Sequence, residues 1–157
     1  MRPIFLGIAI LAVTASSAGA SEALDAFLEQ LQCNAPPDAT DALLGMLEDG
    51  TLDPDSRQGV RSTYCWTLTP AIEIQGVSFT RLCASNDDPE QIAAHPEIYY
   101  RGPGISPGTS ISLNSTDPSA FAKLAGFGSD KLRLTPAYLF EGEMSATCYA
   151  VDFKNGR

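Results

Sequence analysis

The sequence predicts an α+β fold in which an N-terminal helical hairpin packs on a mostly antiparallel β-sheet, with two disulfides. Three observations lead there. Apolar residues recur at helical spacing early in the chain, alternate at a period of two through most of the remainder, and four cysteines are spread over both parts. Helices followed by strands, with no repeating strand–helix–strand unit, favour α+β over a doubly wound nucleotide-binding sheet.

The first helix is marked by Leu24, Phe27, Leu28 and Leu31, a stripe at i, i+3, i+4, i+7. Ser21 is a suitable N-cap, and Glu22, Asp25 and Glu29 occupy the other faces. The run from Asn34 to Pro37 ends this helix. A second spans about 38–49, with Leu43, Met46 and Leu47 on one side and Gly50 as its stop. Asp53-Pro54, Asp88-Pro89 and Asp117-Pro118 each set an acceptor at an N-cap and proline in the first turn, so short helical turns should begin there. The third of these presents Phe121 and Leu124 and stops at Gly126.

Strands follow from alternation. Tyr64, Trp66 and Leu68 alternate with Cys65 and Thr67, and Ile72 and Ile74 with Glu73 and Gln75. Val77, Phe79, Arg81 and Cys83 fall on one side of the next run. Ile111 and Leu113 continue the period within 109–114. The segments 131–140 and 143–153 read as two more strands turned by Glu141-Gly142, with Tyr149, Val151 and Phe153 on one face.

The first twenty residues carry an export signature. Arg2 is the only charge before Glu22, Ile4 to Val13 is an apolar run, and Ala18-Gly19-Ala20 is a small-residue cleavage pattern. Ten apolar residues fall short of the roughly 20 needed to cross a bilayer. The expectation is a signal peptide over 1–20 and a single exported domain over 21–157, in the periplasm or outside the cell, with no stable membrane anchor. An oxidising compartment gives Cys33, Cys65, Cys83 and Cys148 reason to pair. Three pairings are open; Cys33–Cys65 with Cys83–Cys148 is the one leaned to, tying helices to sheet and strand to strand. No C-x-x-C motif exists and His95 is the only histidine, so no metal or cofactor is expected.

The chain carries a net charge of −9. Residues 21–55 hold nine acids and no Lys or Arg, while residues 56–157 are close to neutral. Such a field repels nucleic acid and anionic membranes and would attract a basic protein or a cation.

Catalytic patterns fail on chemistry. Gly104-Ile105-Ser106-Pro107-Gly108 matches G-x-S-x-G, but Pro107 lacks the N–H that an oxyanion hole takes from the residue after the nucleophile. His95 precedes Pro96, which suits a turn, and no spaced partner is evident. Glu141 and Glu143 lie two apart on a strand, an ordinary arrangement for surface acids, and Glu73 is a further carboxylate without a partner. Asn114-Ser115-Thr116 is a glycosylation sequon that a bacterial periplasm would leave unmodified.

The function expected is an exported, acidic, non-enzymatic binding module, with Tyr99, Tyr100 and Arg101 as binding candidates beside a Gly/Pro loop. The alternatives are a small hydrolase using His95 or carboxylates, and an inhibitor that presents acidic helices to a basic enzyme. The partner is a protein or small ligand of the same compartment.

Overall fold

The structure, a computed structural model, describes residues 18–104 and 108–154, the side chains of 18–21 excepted. It is an α+β fold with five short helices and one six-stranded antiparallel sheet among the described residues. Helices α1 (Ala18–Leu31) and α2 (Thr40–Glu48) form the expected hairpin. Phe27, Leu31, Leu43 and Met46 are wholly buried between the hairpin and the sheet, as the helical spacing requires. All nine acids of the 21–55 segment are exposed. The backbone of α1 is already helical at Ala18, so Ser21 lies inside the helix and not at its cap. The bulk of the signal segment, residues 1–17, lies outside the described residues, and no described helix is long and apolar enough to cross a membrane.

The strands are β1 (Gln58–Val60), β2 (Thr63–Ile74), β3 (Val77–Ser85), β4 (Ser110–Ser115), β5 (Arg133–Pro136) and β6 (Met144–Tyr149), in the spatial order β1-β2-β3-β4-β6-β5. β2 and β3 join through Gln75-Gly76, both at positive φ, a two-residue turn whose twist matches the strands. Asp53 and Asp88 cap as expected, each accepting from the backbone N–H two residues on, and Asp88 opens α3 (Pro89–Ala94). Asp117 holds Ser119 in the same way, one turn ahead of α4 (Ala120–Lys123).

The C-terminal segments depart from expectation. β5 covers four residues and β6 ends at Tyr149, after which Val151–Lys154 forms α5. Val151 and Phe153 therefore do not continue the face of Tyr149. Between β5 and β6, Ala137 to Glu143 forms a seven-residue flap that contains the expected turn at Glu141-Gly142, closed by Glu143 N–H to the Phe140 carbonyl at 3.2 Å; Ala137 N–H donates to the Glu143 carbonyl at 2.8 Å across the base of the flap.

The disulfides also differ from the pairing leaned to. Cys33 bonds Cys148 and Cys65 bonds Cys83. The reason is registry. Cys65 and Cys83 stand directly opposite each other across β2 and β3, with Cα atoms 4.1 Å apart. The end of α1 packs toward β6 and not toward the start of the sheet, which brings Cys33 to Cys148.

The sheet has two unlike faces. Trp66, Leu82, Leu113, Ala146 and, one row over, Ala84, Ile111 and Cys148 share the face that meets the helices. A register shift between Thr67 and Ile72 changes the phase along β3. Phe79 and Leu82 are both buried in the core, while Arg81 and Cys83 turn to the opposite face, which separates Arg81 and Cys83 from the Val77–Phe79 side expected for them. That opposite face carries Arg81, Cys83, Ser110, Ser112, Asn114, Ser145 and Thr147.

Candidate ligand-binding site

The second face is polar but not open. Antiparallel sheets commonly leave one face to solvent, with polar side chains directed into it. Here Ser110, Asn114, Ser145 and Thr147 are each less than a tenth exposed. The flap supplies the cover. Ala137, Tyr138 and Leu139 oppose Ser112, Asn114, Ser145 and Thr147 around a recess of about 360 Å³, whose remaining wall comes from Arg61, Ser62, Thr63, Cys83 and Tyr149. The Cys65–Cys83 disulfide thus lies at the edge of the floor.

Arg81 holds the flap from below. Its guanidinium makes a bidentate pair with Glu143, with Nε to both carboxylate oxygens at 3.2 Å and Nη2 to Oε1 at 3.1 Å, and it lies 3.8 Å from the centre of the Phe140 ring. Asn114 Nδ2 donates to the same carboxylate, at 3.1 Å to Oε2. At the mouth, the Arg61 guanidinium stands 5.0 Å from the centre of the Tyr138 ring, and Tyr138 is 80% exposed.

One atom stands out on the floor. Asn114 is 3% exposed, its amide nitrogen serves Glu143, and its Oδ1 has no hydrogen-bond partner. A buried acceptor left unpaired costs about 1–3 kcal/mol. Several neighbouring hydroxyls are satisfied within the protein: Ser145 Oγ lies 2.7 Å from Thr147 Oγ1, Ser85 Oγ 2.8 Å from Ser110 Oγ, and Ser62 Oγ donates to the Gly104 carbonyl.

The residues singled out by sequence lie elsewhere. Tyr99 is buried, and its hydroxyl shares a 2.8 Å hydrogen bond with Thr40 beneath α2; burial pushes the phenol above its ordinary pKa while that bond to Thr40 pulls the other way. Tyr100 stacks on Tyr64 with ring centres 5.0 Å apart, and Tyr64 in turn carries Arg57. Gly102 packs so tightly on the Arg61 carbonyl that a Cβ there would lie 1.6 Å from the oxygen. Of the three candidates only Arg101 is exposed. The Gly104–Gly108 motif cannot be placed, since 105–107 lie outside the described residues.

His95 ends α3, with Nδ1 3.5 Å from Glu97 Oε1. It shares an open polar recess of about 600 Å³ with Asp38, Asp41, Asp87 and Asp88. Two of these acids have local duties: Asp87 accepts from Thr109 Oγ1, and Asp88 caps α3. Glu141 is exposed and Glu143 is held by Arg81, so the two do not converge as a catalytic pair. Glu73 is exposed on β2. Among the described residues no group of three metal-ligating side chains comes together.

The floor residues were legible in the sequence only as the polar half of an alternation, and Asn114 only as the first residue of a sequon. What sequence reading lacked was the roof, since nothing local in 137–143 announces that it folds back over the sheet. Compared with known proteins, the chain matches no family model, no curated protein and no solved structure.

Proposed function

We propose that this protein is an exported, non-enzymatic binding module whose ligand occupies the recess between the polar sheet face and the flap. The observation that carries it is the unpaired Asn114 Oδ1, buried under the flap in a floor of hydroxyls. Buried polar groups are satisfied in the great majority of cases, so an orphan acceptor beside a cavity marks a place where a donor is expected. The oxygen is sealed from water in this arrangement, so access to it comes with movement of the flap. Export is supported by the 1–20 signature together with two disulfides that use all four cysteines.

The test is an amide-shift titration of the isotopically labelled, disulfide-bonded chain against small molecules of neutral, anionic, cationic and apolar character. Binding in the recess predicts shifts concentrated in β4, β6 and 137–143. Shifts confined to 99–104 would move the site to the Tyr100–Arg101 segment, which borders a smaller recess of about 200 Å³ with Asp87 and Ile92. Export is tested separately by N-terminal sequencing of the protein recovered outside the cytoplasm. The expected start is Ser21; a chain still beginning at Met1 would contradict it.

A further inference from the structure

Resting on the recess as a ligand site, we propose that its ligand is a neutral, polyhydroxylated ring, a saccharide unit. The lining selects this chemistry by elimination and by fit. Ser112 and Thr63 offer hydroxyls that both donate and accept, Ser145 and Thr147 are already bonded to each other and keep only their remaining capacity, and Asn114 Oδ1, sealed while the flap is closed, accepts only. An apolar ligand would bury Ser112, Thr63 and Asn114 Oδ1 while supplying none of them a partner, which is costly. An anion would bring its charge toward the unpaired Asn114 oxygen and the Glu143 carboxylate behind it, and Glu143 is already matched by Arg81. The one cation among the lining residues, Arg61, is exposed and its guanidinium lies against the Tyr138 ring. A sugar ring supplies what remains: several hydroxyl donors for the floor and C–H faces for a flat aromatic surface. Tyr138 at the mouth and Tyr149 on the wall provide aromatic rings, each with an arginine, Arg61 and Arg133 respectively, stacked near one face. A volume of about 360 Å³ is at the lower end for small-molecule pockets and suits a short ligand over a long chain.

The experiment titrates the disulfide-bonded protein with D-glucose, N-acetyl-D-glucosamine and maltose, and in parallel with D-glucuronate and cyclohexanol, following backbone amides. At least one neutral sugar should bind with Kd on the order of 1 mM or tighter, moving β4, β6 and flap amides. Glucuronate and cyclohexanol should bind at least about tenfold more weakly, the factor expected for one mismatched polar contact. The Ser112→Ala/Thr147→Val variant, which keeps side-chain size close to the original, should weaken sugar binding by about tenfold or more with the folded spectrum retained. Asn114→Leu should do the same, and the double variant keeps the test decisive if Asn114→Leu does not fold. If cyclohexanol or glucuronate moves the recess amides and the sugars do not, the recess stands as a site and the saccharide class is overturned. If sugars move only amides remote from the recess, or no probe moves the recess amides, the proposal falls together with the site.

Discussion

Leu113 and Asn114 are neighbours in β4, yet they sit on opposite faces of the same sheet and do different work. Leu113 is wholly buried against the helical side, level with Leu82 and Ala146. Asn114 is nearly as buried, but its surroundings are Arg81, Ser145 and a flap, and one of its polar atoms has no partner. The helix-side face is filled with apolar side chains and closed. The flap-side face is polar, largely buried and hollow. Burial alone does not separate a core from a binding site, and neither does an unpaired atom, since Trp66 Nε1 on the helix-side face also has no partner; what distinguishes Asn114 is the hollow beside it.

The same contrast divides the disulfides, and removing them gives the largest expected effect. Cys33–Cys148 closes a span of 115 residues and anchors α1 to the sheet, whereas Cys65–Cys83 closes 18 residues between strands already paired. Chain-entropy reasoning puts their contributions at about 5 and about 3 kcal/mol. Urea unfolding of Cys33→Ala/Cys148→Ala and of Cys65→Ala/Cys83→Ala should rank them in that order. Equal losses, or a larger loss from the cross-strand pair, would break the comparison.

Single substitutions on the two faces come next. Leu113→Ala should cost about 2–5 kcal/mol, because a wholly buried leucine leaves a cavity. Ser112→Ala, one residue earlier on the other face, should change stability by no more than about 0.5 kcal/mol. Urea midpoints at unchanged m-value would show it. A large loss at Ser112 would mean that the polar face serves folding and not binding.

The latch beneath the flap is expected to be intermediate. Arg81→Met strands a carboxylate at Glu143 that is only slightly exposed, for a loss of about 1–3 kcal/mol. Arg81→Met/Glu143→Gln should lose less than Arg81→Met alone, since the charge left behind is then gone. A double variant that is worse than the single would show that the ion pair itself stabilises the fold.

The smallest effect is a pH dependence far from the recess. The Lys123 ammonium, followed by the Ser119 hydroxyl and N–H, holds the Asp117 carboxyl down at about 2. A carboxylate lowered on folding adds stability above its ordinary value near 4, and that stability is lost as pH falls from there through about 2. Asp117→Asn should remove this acid-side step from a plot of urea midpoint against pH. An unchanged profile would show that Lys123 and Ser119 contribute nothing there.

Much of the fold was legible in the residues. The 3.6-residue spacing of Leu24, Phe27, Leu28 and Leu31 located α1, alternation placed β2, β3 and β4, and Asp-Pro pairs marked helical turns. The losses have physical causes. The phase change around Thr67–Ile72 moved Arg81 and Cys83 to the other face, and strict alternation has no means of showing that. Tyr149, Val151 and Phe153 keep strand-like spacing, yet the chain turns at Ala150, whose N–H bonds the Thr109 carbonyl, and enters α5. Tyr99 belongs to a residue type common in binding surfaces, but its ring and hydroxyl are spent on the core and Thr40. The site itself was least legible, because it arises between β4, β6 and a flap that meet only in three dimensions.

The most direct test is hydrogen exchange of the flap amides Tyr138 to Glu143 with and without a saturating concentration of whichever of the titrated probes binds the protein most tightly. Occupied recess and closed flap predict slower exchange there and along β4, with α1 and α2 unchanged. Identical flap exchange in both conditions, or protection confined to 99–104, would contradict the polar face as the ligand face.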